Sequence, residues 1–151
     1  QQLNLIWHRL HPWADTLEGL QLLKKRYNIV TLSNGNLGLL ANMAKFGGLP
    51  WDLILSAEVF RHYKPDPETY LGVADIFDVQ PQEVMLVATH TNDLKSAKSY
   101  GLKTAYVHRP LEFGANQIKP MPDISDFDVN ASDFIDLAKK LVWEQTFDFF
   151  E

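Results

Sequence analysis

The sequence predicts an α/β fold with a mainly parallel sheet, and three observations predict it. Short apolar runs alternate with amphipathic helical patterns at strand and helix lengths. One run, Val84-Met85-Leu86-Val87-Ala88, is continuously apolar, as expected of a parallel strand buried on both faces. Polar residues collect where the runs stop: Ser33-Asn34-Gly35, the segment from Ala88 to Asp93, and His108-Arg109. In such sheets ligands bind beyond the carboxyl ends of the strands, so these residues share one edge.

Each element has its own warrant. Asp15 with Glu18 forms an acidic variant of the capping box and opens a helix with Leu17, Leu20, Leu23 and Tyr27 on its apolar face. Ile29-Val30-Thr31-Leu32 is a β-branched strand run ending in Ser33. Asn36 caps a helix carrying Leu39, Leu40, Met43 and Ala44, which Gly47-Gly48 ends. Leu53-Ile54-Leu55 reads as the next strand. Asp66 as N-cap and Pro67 at the first helical position then start a helix with Tyr70, Val73, Ala74 and Phe77 at i, i+3, i+4, i+7.

After Ala88 a helix is predicted over 92–100, with Gly101 just past its end and a strand over Thr104-Ala105-Tyr106-Val107. Residues 109–125 hold Pro110, Gly114, Pro120 and Pro122 and read as a long loop. Asp128-Val129 is a last short strand before a helix over 134–142. Trp143, Phe147, Phe149 and Phe150 are expected to pack on the domain or a partner. At the other end, Leu3, Leu5, Ile6, Trp7 and Leu10 form an apolar stretch without a preceding cap, as if the chain were entered in mid-fold.

Composition bounds the function. The 151 residues fit one domain with a sizeable core, and 46% hydrophobic with 22% charged residues is ordinary for a globular protein. A net charge of -5 argues against an electrostatic nucleic-acid or anionic-membrane binder. No apolar stretch approaches the ~20 residues that span a bilayer, and no secretory signal pattern opens the sequence. Without cysteine there are no disulfides, no thiol catalysis and no thiolate metal ligands. These features fit a cytoplasmic enzyme.

The candidate chemistry sits at strand ends and on or near the helix that Pro67 opens. Ser33 and Asn34 can bind a carboxylate or phosphate oxygen, or serve simply as turn residues. Lys64, followed by Pro65 and Pro67, can neutralise carboxylates as a point charge, or be one more solvated lysine. Tyr70 lies on an apolar helix face and reads equally as a core tyrosine. Asp93 begins a helix, where it either caps or works. His90 and Asn92 flank it. A lone His90 is weak metal evidence, and the spacings of His8, His11, His62 and His108 offer no ligand set.

Taken together and in order, these residues resemble the haloacid dehalogenase superfamily, and within it the 2-haloacid dehalogenases. Trp7-His8-Arg9-Leu10, Pro12-Trp13 and Leu32-Ser33-Asn34-Gly35-Asn36 resemble the approach to the second motif. Phe60-Arg61-His62-Tyr63-Lys64-Pro65-Asp66-Pro67 with Tyr70 resembles the third. Val84 to Asp93, then Gly101-Leu102-Lys103-Thr104-Ala105 and Arg109-Pro110, resembles the fourth and its exit. The resemblance covers about Trp7 to Leu141. It implies a Rossmann-like doubly wound core over 16–142, the end of a cap or linker over 1–15, and a C-terminal tail over 143–151.

The implied chemistry is hydrolytic dehalogenation of a 2-haloalkanoate to a 2-hydroxyacid of inverted configuration, through an aspartyl ester. Lys64, Asp93 and Tyr70 would be catalytic, Ser33 and Asn34 would bind the substrate carboxylate, and His90 and Asn92 would stand behind them. Substrate and water would be the partners, with no cofactor or metal; family members are often dimers. No Asp-x-x-x-Thr precedes a strand upstream of Ser33. The nucleophile's strand and most of the helical cap, with the arginine that receives the halide, are therefore expected in a preceding segment of a longer enzyme. Some relatives carry serine and asparagine where this sequence has Ala88 and His90. Two rival readings remain. A magnesium phosphatase of the superfamily would place a second acidic residue where Thr89 stands, and a nucleophile-free relative would act as a binding module.

Overall fold

A computed structural model of the chain describes residues 6–143. Leu3, Leu5, Phe147, Phe149 and Phe150 lie outside the described residues. The β-branched and apolar runs form five short strands: β1 (Val30–Ser33), β2 (Leu53–Ser56), β3 (Met85–Ala88), β4 (Lys103–Val107) and β5 (Val129–Ala131). The helices are α1 (Thr16–Lys24), α2 (Leu37–Gly47), α3 (Ala57–Phe60), α4 (Pro67–Phe77), α5 (Thr91–Ser99) and α6 (Phe134–Ala138), the last running on into a wider turn over Lys139–Trp143. Every strand pairing is parallel: β1 with β2, and β4 between β3 and β5. The predicted elements are therefore all present, within a residue or two at most ends.

Two cores cover opposite faces of the β3–β4–β5 sheet. Leu20 and Leu23 of α1 meet Leu137 and Ala138 of α6 over Ala105, Val107 and Ala131. On the other face Tyr70 of α4 and Leu94 and Ala97 of α5 pack with Leu86, Tyr106 and Phe127. Alternate residues of one strand feed alternate faces, so Ala105 and Tyr106 diverge. Each fully buried leucine contributes about 1.5–3 kcal/mol. Gly48, at φ 64°, ends α2 in the left-handed conformation that glycine adopts without strain.

Several readings change. Tyr27, assigned to the apolar face of α1, lies beyond its last residue, Lys24, and Asn36 and Asp66 precede α2 and α4 without a side-chain capping hydrogen bond. Asp15 likewise precedes α1 but its carboxylate does not cap that helix. It receives both Arg109 guanidinium nitrogens, at 2.8 and 2.8 Å, and the Phe134 N–H at 2.8 Å. Arg109 lies over the rings of Trp13 and Phe134, 5.5 and 5.3 Å from their centroids. One carboxylate thus ties the entry of α1 to the end of β4 and the start of α6. Leu17, assigned to the apolar face of α1, is 36% exposed, because the buried stripe runs through Thr16, Gly19, Leu20 and Leu23.

The sheet is in two pieces. Among the described residues β1 has no hydrogen-bonded neighbour besides β2, and β3 none besides β4. Between β1 and β3 lies an open slot of about 740 Å³, walled by Val30 and Leu32 on one side, Met85 and Val87 on the other, and Leu23 and Val73 above and below. No helix among the described residues is long and apolar enough to cross a membrane.

Two outcomes test this packing. A Cβ added at Gly19 would lie 2.4 Å from Phe134 Cβ and 2.5 Å from its backbone carbon. Gly19→Ala should therefore cost about 1–3 kcal/mol in a denaturant titration, since α1 must move off α6. Burial works to raise the Asp15 pKa, but the hydrogen bonds from Arg109 and Phe134 and the Arg109 charge outweigh it and hold the pKa below its ordinary 3.8. A depressed carboxylate stabilises fully above pH 3.8, and that contribution is lost as pH falls through the lower folded value. Acid titration of stability should show a shallower loss in Asp15→Asn than in the unchanged protein.

Candidate active site

The site forms where β1 and β3 stop. β3 delivers its last residue, Ala88, to a turn from which α5 starts at Thr91, with Asp93 in the first turn of that helix. Asp93 is the hub. Its Oδ2 takes the Lys64 ammonium at 2.5 Å and its Oδ1 takes the Tyr70 hydroxyl at 2.6 Å. The lysine and aspartate side chains are 18% and 19% exposed, and Tyr70 is fully buried. Burial, then the hydrogen bond and charge of Asp93, push the Tyr70 phenol well above its ordinary range, so it stays a donor at any physiological pH.

Lys64 is held at its backbone as well as its head. Asn34 clasps it at both ends, accepting the Lys64 N–H on Oδ1 at 2.8 Å and donating from Nδ2 to the Lys64 carbonyl at 3.2 Å. Lys64 is joined to Pro65 by a cis peptide. Tyr100 adds a hydrogen bond from its hydroxyl to the Pro65 carbonyl at 3.0 Å and packs its ring 5.5 Å from that of Tyr70. Ser33 ends β1, and its Oγ accepts the Gly35 N–H at 3.0 Å, which leaves its O–H to donate. Ser33, Lys64 and Asp93 all line the slot between the half-sheets, at its carboxyl-end mouth.

Five of the seven predicted residues, Ser33, Asn34, Lys64, Tyr70 and Asp93, are thus gathered at one place. The other two differ. His90 Nε2 pairs with Glu112 at 2.5 Å on the neighbouring loop. Asn92 is exposed, and its carbonyl accepts a hydrogen bond from the Ser96 hydroxyl at 3.0 Å. Glu112, Lys119 and Tyr100 were not singled out from the sequence. The first two lie in an aperiodic loop, and Tyr100 ends a helix like any aromatic. His62, whose spacing offered no ligand set, lies near Asp66 and Glu68, within 3.3 and 3.6 Å of their carboxylates. All three are on the surface, and a hydrogen bond between His62 Nδ1 and Asp66 at 3.3 Å accounts for much of the grouping.

A fixed ammonium, a carboxylate and a phenol held at the carboxyl edge of a parallel sheet define an α/β protein with a polar cluster at its strand ends. Comparison with known proteins makes this specific. A family model described as haloacid dehalogenase-like hydrolase matches residues 1–101, and the chain belongs to that family. Among curated proteins, it is 35% identical over 111 residues to (S)-2-haloacid dehalogenase 4A of Burkholderia cepacia, a match over 72% of this chain and 48% of that one. It is also 28% identical over 116 residues to phosphoglycolate phosphatase of Thiobacillus denitrificans, across 75% of this chain and 49% of the phosphatase. Among solved structures, the L-2-haloacid dehalogenase PA0810 superposes with a TM-score of 0.89 at 50% identity, covering 93% of this chain and 62% of that one. The chain therefore spans about half the length of the curated relatives it matches. The fold is the Rossmann-like core of this superfamily.

The buried hydrogen bond predicts a titration anomaly. Tyr70 should ionise well above the ordinary value of 10.0 in a spectrophotometric titration, after the exposed tyrosines. Asp93→Asn should bring it down toward them, because the carboxylate charge that opposes phenolate is gone.

Proposed function

We propose that this chain forms most of the core of a 2-haloacid dehalogenase acting on L-2-haloalkanoic acids. One observation carries the reading: the Lys64–Asp93–Tyr70 cluster sits at the mouth of an apolar slot between two unpaired strand edges. A further parallel strand in that slot would pair with β1 and β3 and present its carboxyl end to Lys64. An aspartate there would be the nucleophile. Residues 16–142 are then core, 1–15 the lead-in from a cap, and 143–151 a tail.

The chemistry is a displacement followed by ester hydrolysis. A carboxylate oxygen of the aspartate attacks the α-carbon, and halide leaves with the electron pair of the carbon–halogen bond. Water then attacks the carbonyl carbon of the ester. The 2-hydroxyacid leaves with inverted configuration, the aspartate is regenerated and one proton is released. Lys64 neutralises the nucleophile's carboxylate without losing its own place, because Asn34 and Asp93 hold both ends of it. Asp93, oriented by Tyr70, fixes the ammonium and helps orient the water. Ser33 donates its O–H to the substrate carboxylate, and Asn34 has one amide hydrogen left to assist.

Phosphoryl transfer is the second reading, favoured by the match to the phosphatase. The donor set does not fit a magnesium ion, which takes hard oxygen ligands. Both Asp93 oxygens already accept from Lys64 and Tyr70, and both oxygens of Thr89 accept from the Lys119 ammonium.

Protein from its native source should release halide from 2-chloropropionate, with and without chelator, and release no phosphate from small phosphoesters. Phosphate release that a chelator abolishes would defeat the dehalogenase reading. Lys64→Met should lower kcat for halide release about 100-fold or more, the usual scale for removing a fixed charge from a developing one.

A further inference from the structure

The loop between β4 and β5 is long, yet it is fastened to the turn that carries Asp93. Lys119 Nζ donates to the Thr89 carbonyl at 2.7 Å, to Thr89 Oγ1 at 3.0 Å and to Glu112 Oε2 at 2.7 Å, which uses all three ammonium hydrogens. The other Glu112 oxygen pairs with His90 Nε2 at 2.5 Å. The Lys119 and Glu112 side chains are only 14% and 21% exposed. The loop closes on itself through the Lys119 N–H and the Pro110 carbonyl at 2.8 Å. Thr89 and His90 are the two residues between the end of β3 and the start of α5.

A solvated lysine would keep its rotamer freedom, and immobilising one has an entropic cost. Here the head is placed on two oxygens of one residue, four positions before Asp93. Burial works to raise the Glu112 pKa, but hydrogen bonds from Lys119 and His90 and their charges prevail and keep it below its ordinary value. An ionised carboxylate only accepts, so the proton at that contact belongs to His90 Nε2. A neutral His90 therefore carries its lone pair on Nδ1.

We propose that Glu112 and Lys119 are positioning residues of the site: they fix the Thr89–His90 turn that sets Asp93, and they impose the Nε2-protonated tautomer on His90. The inference rests on the dehalogenase reading for its kinetic consequence but not for its structural one. Neither residue touches the reacting atoms. Their effect runs through the turn, so it falls on the rate of the chemical step more than on substrate capture.

The test uses Glu112→Gln, Lys119→Met and Lys119→Arg in protein from the full natural coding sequence. For halide release from 2-chloropropionate, Glu112→Gln and Lys119→Met should lower kcat roughly ten- to a hundredfold with little change in KM, and Lys119→Arg should recover part of the loss. Nitrogen NMR of labelled histidine should show His90 protonated at Nε2 in the unchanged protein and a mixture of tautomers in Glu112→Gln. Unchanged kcat together with an unchanged His90 spectrum in Glu112→Gln would overturn the proposal. So would a loss in Lys119→Met that merely follows a loss of folded protein while Glu112→Gln stays fully active. A wild-type protein that releases no halide defeats the dehalogenase reading alone, and the His90 spectrum then decides for or against the clamp.

Discussion

The two oxygens of the Asp93 carboxylate hold the site together. One binds the Lys64 ammonium and the other the Tyr70 hydroxyl, at 2.5 and 2.6 Å. Because Asn34 grips the Lys64 backbone from the end of β1, this carboxylate also links two half-sheets that share no strand pairing among the described residues. Removing one partner from a partly buried charge is strongly destabilising, because the charge left behind is unpaired. The geometry is therefore set by the protein's own side chains, which is what the proposed fixed-charge catalysis would require.

The polar links lie at one edge and the apolar material lies behind it. Leucines and valines line the slot between β1 and β3, while the charged and hydroxylic groups gather where the strands stop. Further around the same edge, Arg109 and Asp15 tie β4 to α1 and α6, and Lys119 and Glu112 tie the following loop to the Asp93 turn. Each of these pairs joins segments that local structure alone would leave independent. The site is thus held by side chains that cross between elements, and the helices and strands supply the direction in which each one is presented.

Much of this was legible in the residues. The unbroken apolar run through Val87 reads as a parallel strand and is one, although only Leu86 in it is buried, and the stripe through Tyr70, Val73 and Ala74 located a helix and its inner face. Strand ends then placed Ser33, the segment from Ala88 to Asp93, and His108-Arg109 on one edge by topology, whereas the place of Lys64 beside Asp93 is a contact that only the structure gives. What stayed hidden depends on long-range pairing. Asp15 looks like a helix cap because local spacing knows nothing of Arg109, 94 residues away. Glu112 and Lys119 sit in a loop with no period to mark an inward side. Asn34 reads as a substrate ligand, and no spacing reveals that its amide is also engaged with the Lys64 backbone.

The measurement that reaches the central claim most directly is a single turnover of 2-chloropropionate in ¹⁸O-water, with enzyme in excess. If an aspartate at the mouth of the slot attacks carbon and water then attacks the ester, the first 2-hydroxypropionate carries no label in its new hydroxyl. The label appears instead in one aspartate, which peptide mass spectrometry locates on a segment outside β1 to β5. A labelled hydroxyl on the first product, with unlabelled protein, would mean that water attacks the substrate directly and that Lys64 and Asp93 serve some other step.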